Sequence, residues 1–142
     1  MFRPRAGFVF IVVMALCAAL GCGASFFASS NDGRLLVFVS VDPASADANR
    51  FPGGQVQFTA RGTFNLSPTA VSPLTGIVWT IDHPAFAVMP DLGHAFIDQT
   101  GLASCAPGFV GILQVFATAP ADSSRVMSAQ NAIVGMAHMV CP

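Results

Sequence analysis

The chain contains no lysine, no glutamate and no tyrosine. Its charge comes from six arginines and seven aspartates, 9% of the residues, and sums to −1. Binding to nucleic-acid phosphates needs clustered cations that displace counterions, so nucleic acid is excluded as a partner. With no glutamate, a His-Glu-x-x-His zinc site cannot be built. No Cys-x-x-Cys pair, Gly-x-Ser-x-Gly elbow or phosphate-cradling glycine loop occurs either. No cofactor, metal or catalytic residue is therefore expected. Apolar residues make up 54% of the chain, which excludes a disordered acidic or basic tail. From residue 35 onward, apolar residues at helical spacing never persist beyond a turn or two. That leaves an all-β domain.

The amino-terminal segment has a different character. Arg3 and Arg5 come first, residues 6–20 carry no charge, and small residues lead to Cys22. A charged start, an apolar middle and a small-residue end make a secretory signal. Pro4 separates the two arginines, so this is not a twin-arginine signal. The end of the segment, Ala18-Ala19-Leu20-Gly21-Cys22, resembles the lipobox of bacterial lipoproteins. The resemblance implies a diacylglyceryl group on the Cys22 sulfur, cleavage after Gly21 and acylation of the new amino terminus. Several acyl chains on one residue would hold the protein on a membrane. Gly23 rather than an aspartate follows, which favours sorting to an outer membrane. Two plainer readings remain open, a cleaved secretory signal and an uncleaved helical anchor, since residues 6–31 are long enough to span a bilayer. Arg3 and Arg5 favour a cytoplasmic start, so export to the cell envelope is expected in each case. The organisation is a signal helix at 1–21, a tether at 22–34 and a domain at 35–142.

Cys17 leaves with the signal and Cys22 receives lipid, so Cys105 and Cys141 remain as an even pair in an oxidising compartment. They are expected to be bonded, with two buried free thiols as the alternative.

Beyond the tether, short β-rich runs alternate with Pro, Gly, Asn and Asp. Strands are expected near 35–41, 55–64, 77–81, 85–89, 95–97, 102–105, 111–119 and 132–141. The cleanest alternation sets Val56, Phe58, Ala60 and Phe64 on one face and Gln55, Gln57, Thr59, Arg61 and Thr63 on the other, a strand with one wet side. Seven or eight strands of this size suit an immunoglobulin-like β-sandwich.

The order of motifs resembles the group-two bacterial immunoglobulin-like domain of intimin- and invasin-type adhesins. Val39-Ser40-Val41-Asp42-Pro43 is similar to its first strand and bend. Pro52-Gly53-Gly54-Gln55-Val56-Gln57-Phe58 is similar to its second strand, which runs into Gly62-Thr63-Phe64. Val78-Trp79-Thr80-Ile81-Asp82-His83-Pro84 looks like its tryptophan strand and turn, and Asp98-Gln99-Thr100-Gly101 like a later landmark. Residues 89–96 look like an insertion, and most adhesin copies lack counterparts of Cys105 and Cys141. The resemblance implies an adhesive module, a partner-binding module or an envelope structural part.

Two places qualify as contact sites. Ile112 and Phe116 fall on the outward side of one late strand, and Met136 and Val140 on the outward side of the next. If those strands are neighbours, the four form an exposed apolar stripe, and such a patch commonly marks a protein contact. Shielding by the tether or by residues 121–130 is the alternative. The loop from Asp91 to Asp98, with His94 and Phe96, is the second place, for an envelope polysaccharide or small ligand. His83 reads as a turn residue, His138 as exposed, Trp79 as core, and Asn65-Leu66-Ser67 as a chance glycosylation triplet.

Overall fold

The computed structural model describes residues 33–142, so the signal segment, Cys22 and most of the tether lie outside the described residues. The described chain is all-β. Ten strands follow in order: β1 (Leu36–Asp42), β2 (Ser45–Asp47), β3 (Gln55–Gln57), β4 (Thr59–Phe64), β5 (Ala70–Val71), β6 (Val78–Ile81), β7 (Ala95–Ile97), β8 (Leu102–Cys105), β9 (Gly111–Pro120) and β10 (Ala132–Cys141). They pair in three sheets, β1-β4-β5, β3-β8-β7 and β2-β10-β9-β6. Among the described residues no helix is long and apolar enough to cross a membrane.

The alternating run at 55–64 serves two sheets. Its first half pairs with β8 and its second with β1. At the junction the Phe58 N–H leaves both ladders and donates to the Gly101 carbonyl at 2.9 Å. The inward row nevertheless continues unbroken, with Val56, Phe58 and Ala60 all buried. Opposite them, the period-2 pattern of β9 sends Leu113, Val115, Ala117 and Ala119 inward, and β10 adds Ala137, Met139 and Cys141. Trp79 and Ile81 of β6 join the same apolar cluster, which draws on all three sheets.

Small residues set how closely these layers approach. A Cβ on Gly135 of β10 would lie 2.6 Å from the Val39 Cγ1 and 2.8 Å from the Val39 carbonyl oxygen, so only glycine lets β1 cross there. The turn before β3 uses Gly53 and Gly54 at φ of +65° and +69°, a region that other residues resist. Cys105, at the end of β8, is disulfide-bonded to Cys141, at the end of β10, with Cα atoms 5.8 Å apart. The bond ties two sheets together at the carboxyl-terminal end of the chain.

Three details differ from the sequence expectation. Residues 85–89 form no strand: Pro84 and Pro90 bracket them, and the Ala87 N–H closes a turn on the Pro84 carbonyl. β2, which runs parallel to β10, and the two-residue β5 were not expected. Segments that short carry no readable period.

Candidate functional site

Ile112, Phe116, Met136 and Val140 lie on the outward face of the β2-β10-β9-β6 sheet, but not as one exposed stripe. β9 and β10 are antiparallel neighbours, and their register sets Ile112 opposite Val140 and Phe116 opposite Met136. Ile112 is 70% exposed and Met136 48%, while Val140 is half-buried. Phe116 departs from the expectation: it is only 9% exposed, and Thr118 beyond it is fully buried. The cause is the segment that leaves β6. The Asp82 N–H still extends the β6–β9 ladder to the Gln114 carbonyl at 2.8 Å, and beyond it the chain turns back so that the Ala85 N–H reaches the Thr118 hydroxyl at 3.3 Å. That chain lies across the outer face and covers the middle of β9, so Phe116 is not a contact residue. The free residues of the four are Ile112 and Met136, with exposed Val110 near Ile112 in the chain and Val140 half-buried.

The loop from Asp91 to Asp98 does not gather its polar groups into one site. Asp98 caps the turn before β8: its Oδ1 accepts from the Thr100 N–H at 2.8 Å, the Thr100 hydroxyl at 2.6 Å and the Leu102 N–H at 3.1 Å. The Thr100 hydroxyl first, and then the Leu102 amide, hold its carboxyl below the usual aspartate value. Asp91 accepts from the Gly93 N–H at 2.8 Å. His94 turns to Asp82, with its Nδ1 at 3.3 Å from Oδ2, and stacks on Phe109 with ring centroids 4.4 Å apart. Its backbone carbonyl also accepts from the Ala106 N–H, so the loop is fastened to the β8–β9 connection. Among the described residues no group of three His, Cys or Asp side chains is placed to hold a metal ion.

One cleft does open here. Its volume is about 210 Å³, and Trp79, Thr80, His83, Asp91 and Phe96 line it. Phe96 is 60% exposed, whereas Trp79 is almost wholly core. His83 sits in the turn after β6, where its carbonyl accepts from the Thr80 hydroxyl. His138 faces outward but is half-buried between Ser45 of β2 and Gln114 of β9. Asn65 has a structural duty: its Oδ1 accepts from the Leu35 N–H at 2.6 Å and its Nδ2 donates to the Gly33 carbonyl at 2.9 Å. The side chain clamps the chain where it enters the domain.

Asp82 lies outside the candidate loop of the sequence, although Asp-His-Pro carries a signal for it. A short polar residue before a proline-ended turn suits the left-handed backbone that Asp82 adopts at φ +65°. No protein-family model matches the chain, and no curated protein matches it in sequence.

Proposed function

We propose that this chain is a lipid-anchored protein of the cell envelope with no enzymatic activity, whose single immunoglobulin-like module engages a protein partner. The observation that carries the reading is the uncharged stretch ending Leu20-Gly21-Cys22 after Arg3 and Arg5. The disulfide between Cys105 and Cys141 supports it, because such bonds persist in oxidising compartments.

Strand order supports the immunoglobulin-like part. If β3 and β4 count as one second strand and the short β2 and β5 are set aside, β1, β8 and β7 flank it in the order first-second-fifth-fourth. The other sheet then carries the third, sixth and seventh strands as β6, β9 and β10. This order is similar to that of a constant-type immunoglobulin sandwich, and the tryptophan on the third strand adds support. The disulfide runs from the fifth strand to the seventh, not from the second to the sixth as in antibody domains. In this reading the partner surface is the outward side of β9 and β10 where Val110, Ile112 and Met136 are exposed.

Mass spectrometry of the mature chain from a diderm bacterial host tests the anchor. A chain that begins at Cys22 and carries acyl groups is expected, and Cys22→Ala should abolish both features. A mature chain with an unmodified Cys22 would overturn the proposal. A second reading, binding of an envelope polysaccharide or small ligand, is favoured by the cleft beside Asp91 and Phe96. Glycan binding that Phe96→Ala removes would select it.

A further inference from the structure

We infer that the corner where the chain enters the domain is a docking surface for an anionic lipid bilayer. This inference rests on the lipid anchor proposed above and adds a contact that the anchor alone does not require.

A bulge in β1 builds the surface. The register slips between Leu36 and Phe38, so Leu36 turns inward while Val37 and Phe38 both face out, 52% and 57% exposed. A regular strand would have buried one of them. Leu35, just before β1, and Leu66, just after β4, are also exposed. Phe38 stands opposite Thr63, which in turn pairs with Ala70 of β5, so a weakly polar face continues across the sheet.

Charge decides which occupant this surface suits. Four arginines fall among the described residues. Arg50 lies 3.7 Å from Asp47, and Arg125 lies 3.4 Å from Asp122, so each is matched by an acid. Neither Arg34 nor Arg61 has an acid within ion-pair distance among the described residues. Arg61 shares the outward face with Phe38, Arg34 packs at the inward edge beside Leu36, Phe64 and Ala119, and Asp32 lies outside the described residues. Arg61 is exposed on β4 opposite Ser40, two positions along β1 from Phe38. Arg34 is half-buried, with its guanidinium 3.9 Å over the Phe64 ring and an Nη donating to the Pro68 carbonyl. Asp42, at the far end of β1, is the acid that shares the sheet face. Aliphatic and aromatic side chains beside exposed Arg61, with Arg34 at the rim, suit a surface that is apolar below and anionic above. The exposed Val88, Met89 and Leu92 of the loop after β6 have Asp91 beside them in sequence and no arginine, which does not suit such a surface.

Chain length adds a second argument. Gly33 lies eleven positions after Cys22. Eleven residues reach at most about 40 Å when fully extended and about 18 Å as a flexible coil. The Asn65 clamp on Gly33 and Leu35 fixes the tether's exit at this corner. An acylated Cys22 would therefore hold the corner at high local concentration against the bilayer, where a weak surface contact becomes populated.

The test uses the acylated full-length mature chain in vesicles of phosphatidylcholine, alone or mixed with phosphatidylglycerol. Quenching by brominated acyl chains is read from the indole introduced by Phe38→Trp. Trp79 is core and contributes a constant background. Quenching should rise when phosphatidylglycerol is included and fall with added salt. Arg61→Gln should lower the docked-to-undocked ratio about fivefold, while Arg50→Gln leaves it unchanged. The acyl mass on Cys22 is measured on the same sample, so a missing acyl group refutes the anchor itself. Acylated protein with no phosphatidylglycerol-dependent quenching overturns the docking inference alone. Shielding of the indole that follows protein density and ignores lipid charge also overturns it, in favour of a second copy on this face.

Discussion

Alanine at Gly101 should cost far more stability than alanine at Gly54, although both glycines occupy left-handed backbone, at φ of +85° and +69°. For an L-residue that region alone costs about 1–2 kcal/mol. At Gly54 nothing lies within 4 Å of an added Cβ, so the backbone term is the whole effect. At Gly101 the same atom would sit 2.4 Å from the Phe58 carbonyl oxygen and 3.0 Å from two ring carbons of Trp79. Neither neighbour can yield cheaply. Phe58 is fully buried, its N–H is bonded to the Gly101 carbonyl, and its own carbonyl accepts from the Gln57 side chain at 3.0 Å. Relief would have to move the β3–β4 junction and the tryptophan together, and overpacking of that sort adds about 1–3 kcal/mol. The expected totals are about 1–2 kcal/mol for Gly54→Ala and about 2–5 kcal/mol for Gly101→Ala. Urea unfolding followed by the emission of Trp79, the one tryptophan in the chain, separates them. With a slope of about 1–3 kcal/mol per molar urea, the midpoints should differ by about 1 M. Equal midpoints for the two variants would show that the Gly101–Phe58–Trp79 packing is not built as described.

Phe116→Thr should destabilise the domain by about 2–4 kcal/mol, while Ile112→Thr stays within about 0.5 kcal/mol. The reverse ranking in the same urea assay would place the cover from residues 82–87 elsewhere. Replacing both Cys105 and Cys141 with serine removes a cross-link spanning 36 positions, and the chain-entropy model puts the loss at about 4 kcal/mol. A double variant with the wild-type urea midpoint would refute that. The folded-state carboxyls of Asp98 and Asp122 are held below their ordinary value, chiefly by the hydroxyls of Thr100 and Ser124. Their contribution to stability is therefore complete above the ordinary aspartate range and is lost as pH falls through the lowered folded values. Carboxyl titration by NMR should place the Asp98 midpoint below that of an unfolded peptide, and an equal midpoint would contradict the hydrogen bonding.

Much of the fold is legible in short-range patterns. The run from Gln55 to Phe64 alternates because one side is wet, and β9 and β10 alternate for the same reason. Once Cys17 and Cys22 are set aside, the Cys105–Cys141 pairing is legible by subtraction. What stays hidden depends on distant chain. Period-2 logic assigns Phe116 to the correct face, but its burial is set by residues some thirty positions earlier that fold over it. His94 looks like a partner for Asp91 or Asp98 in sequence, yet its imidazole meets Asp82, twelve positions away. Its stacking on Phe109 depends on how the β6–β7 and β8–β9 connections meet, which no local pattern encodes. The split of one strand between two sheets is equally non-local, because the Gly101 carbonyl decides it.

The two proposed contact regions lie at opposite ends of β9, and this constrains how they could act together. Ala121, just past β9, accepts from the Leu36 N–H at 2.8 Å, so that end of the strand adjoins the chain entry and its exposed Leu35, Val37 and Phe38. Ile112 stands at the other end of the ten-residue strand. At about 3.4 Å per residue the two ends are about 30 Å apart. If the entry corner rests on a bilayer, Ile112 and Val110 stand up to that distance from the headgroups. A partner would then meet a fixed apolar end presented at one height, because β9 and β10 pair over ten positions without a register shift. Loss of the lipid contact through Arg61→Gln should leave that end chemically intact and alter only its height and orientation. Binding of a soluble partner should then survive Arg61→Gln, whereas assembly with a partner fixed in the same envelope should weaken.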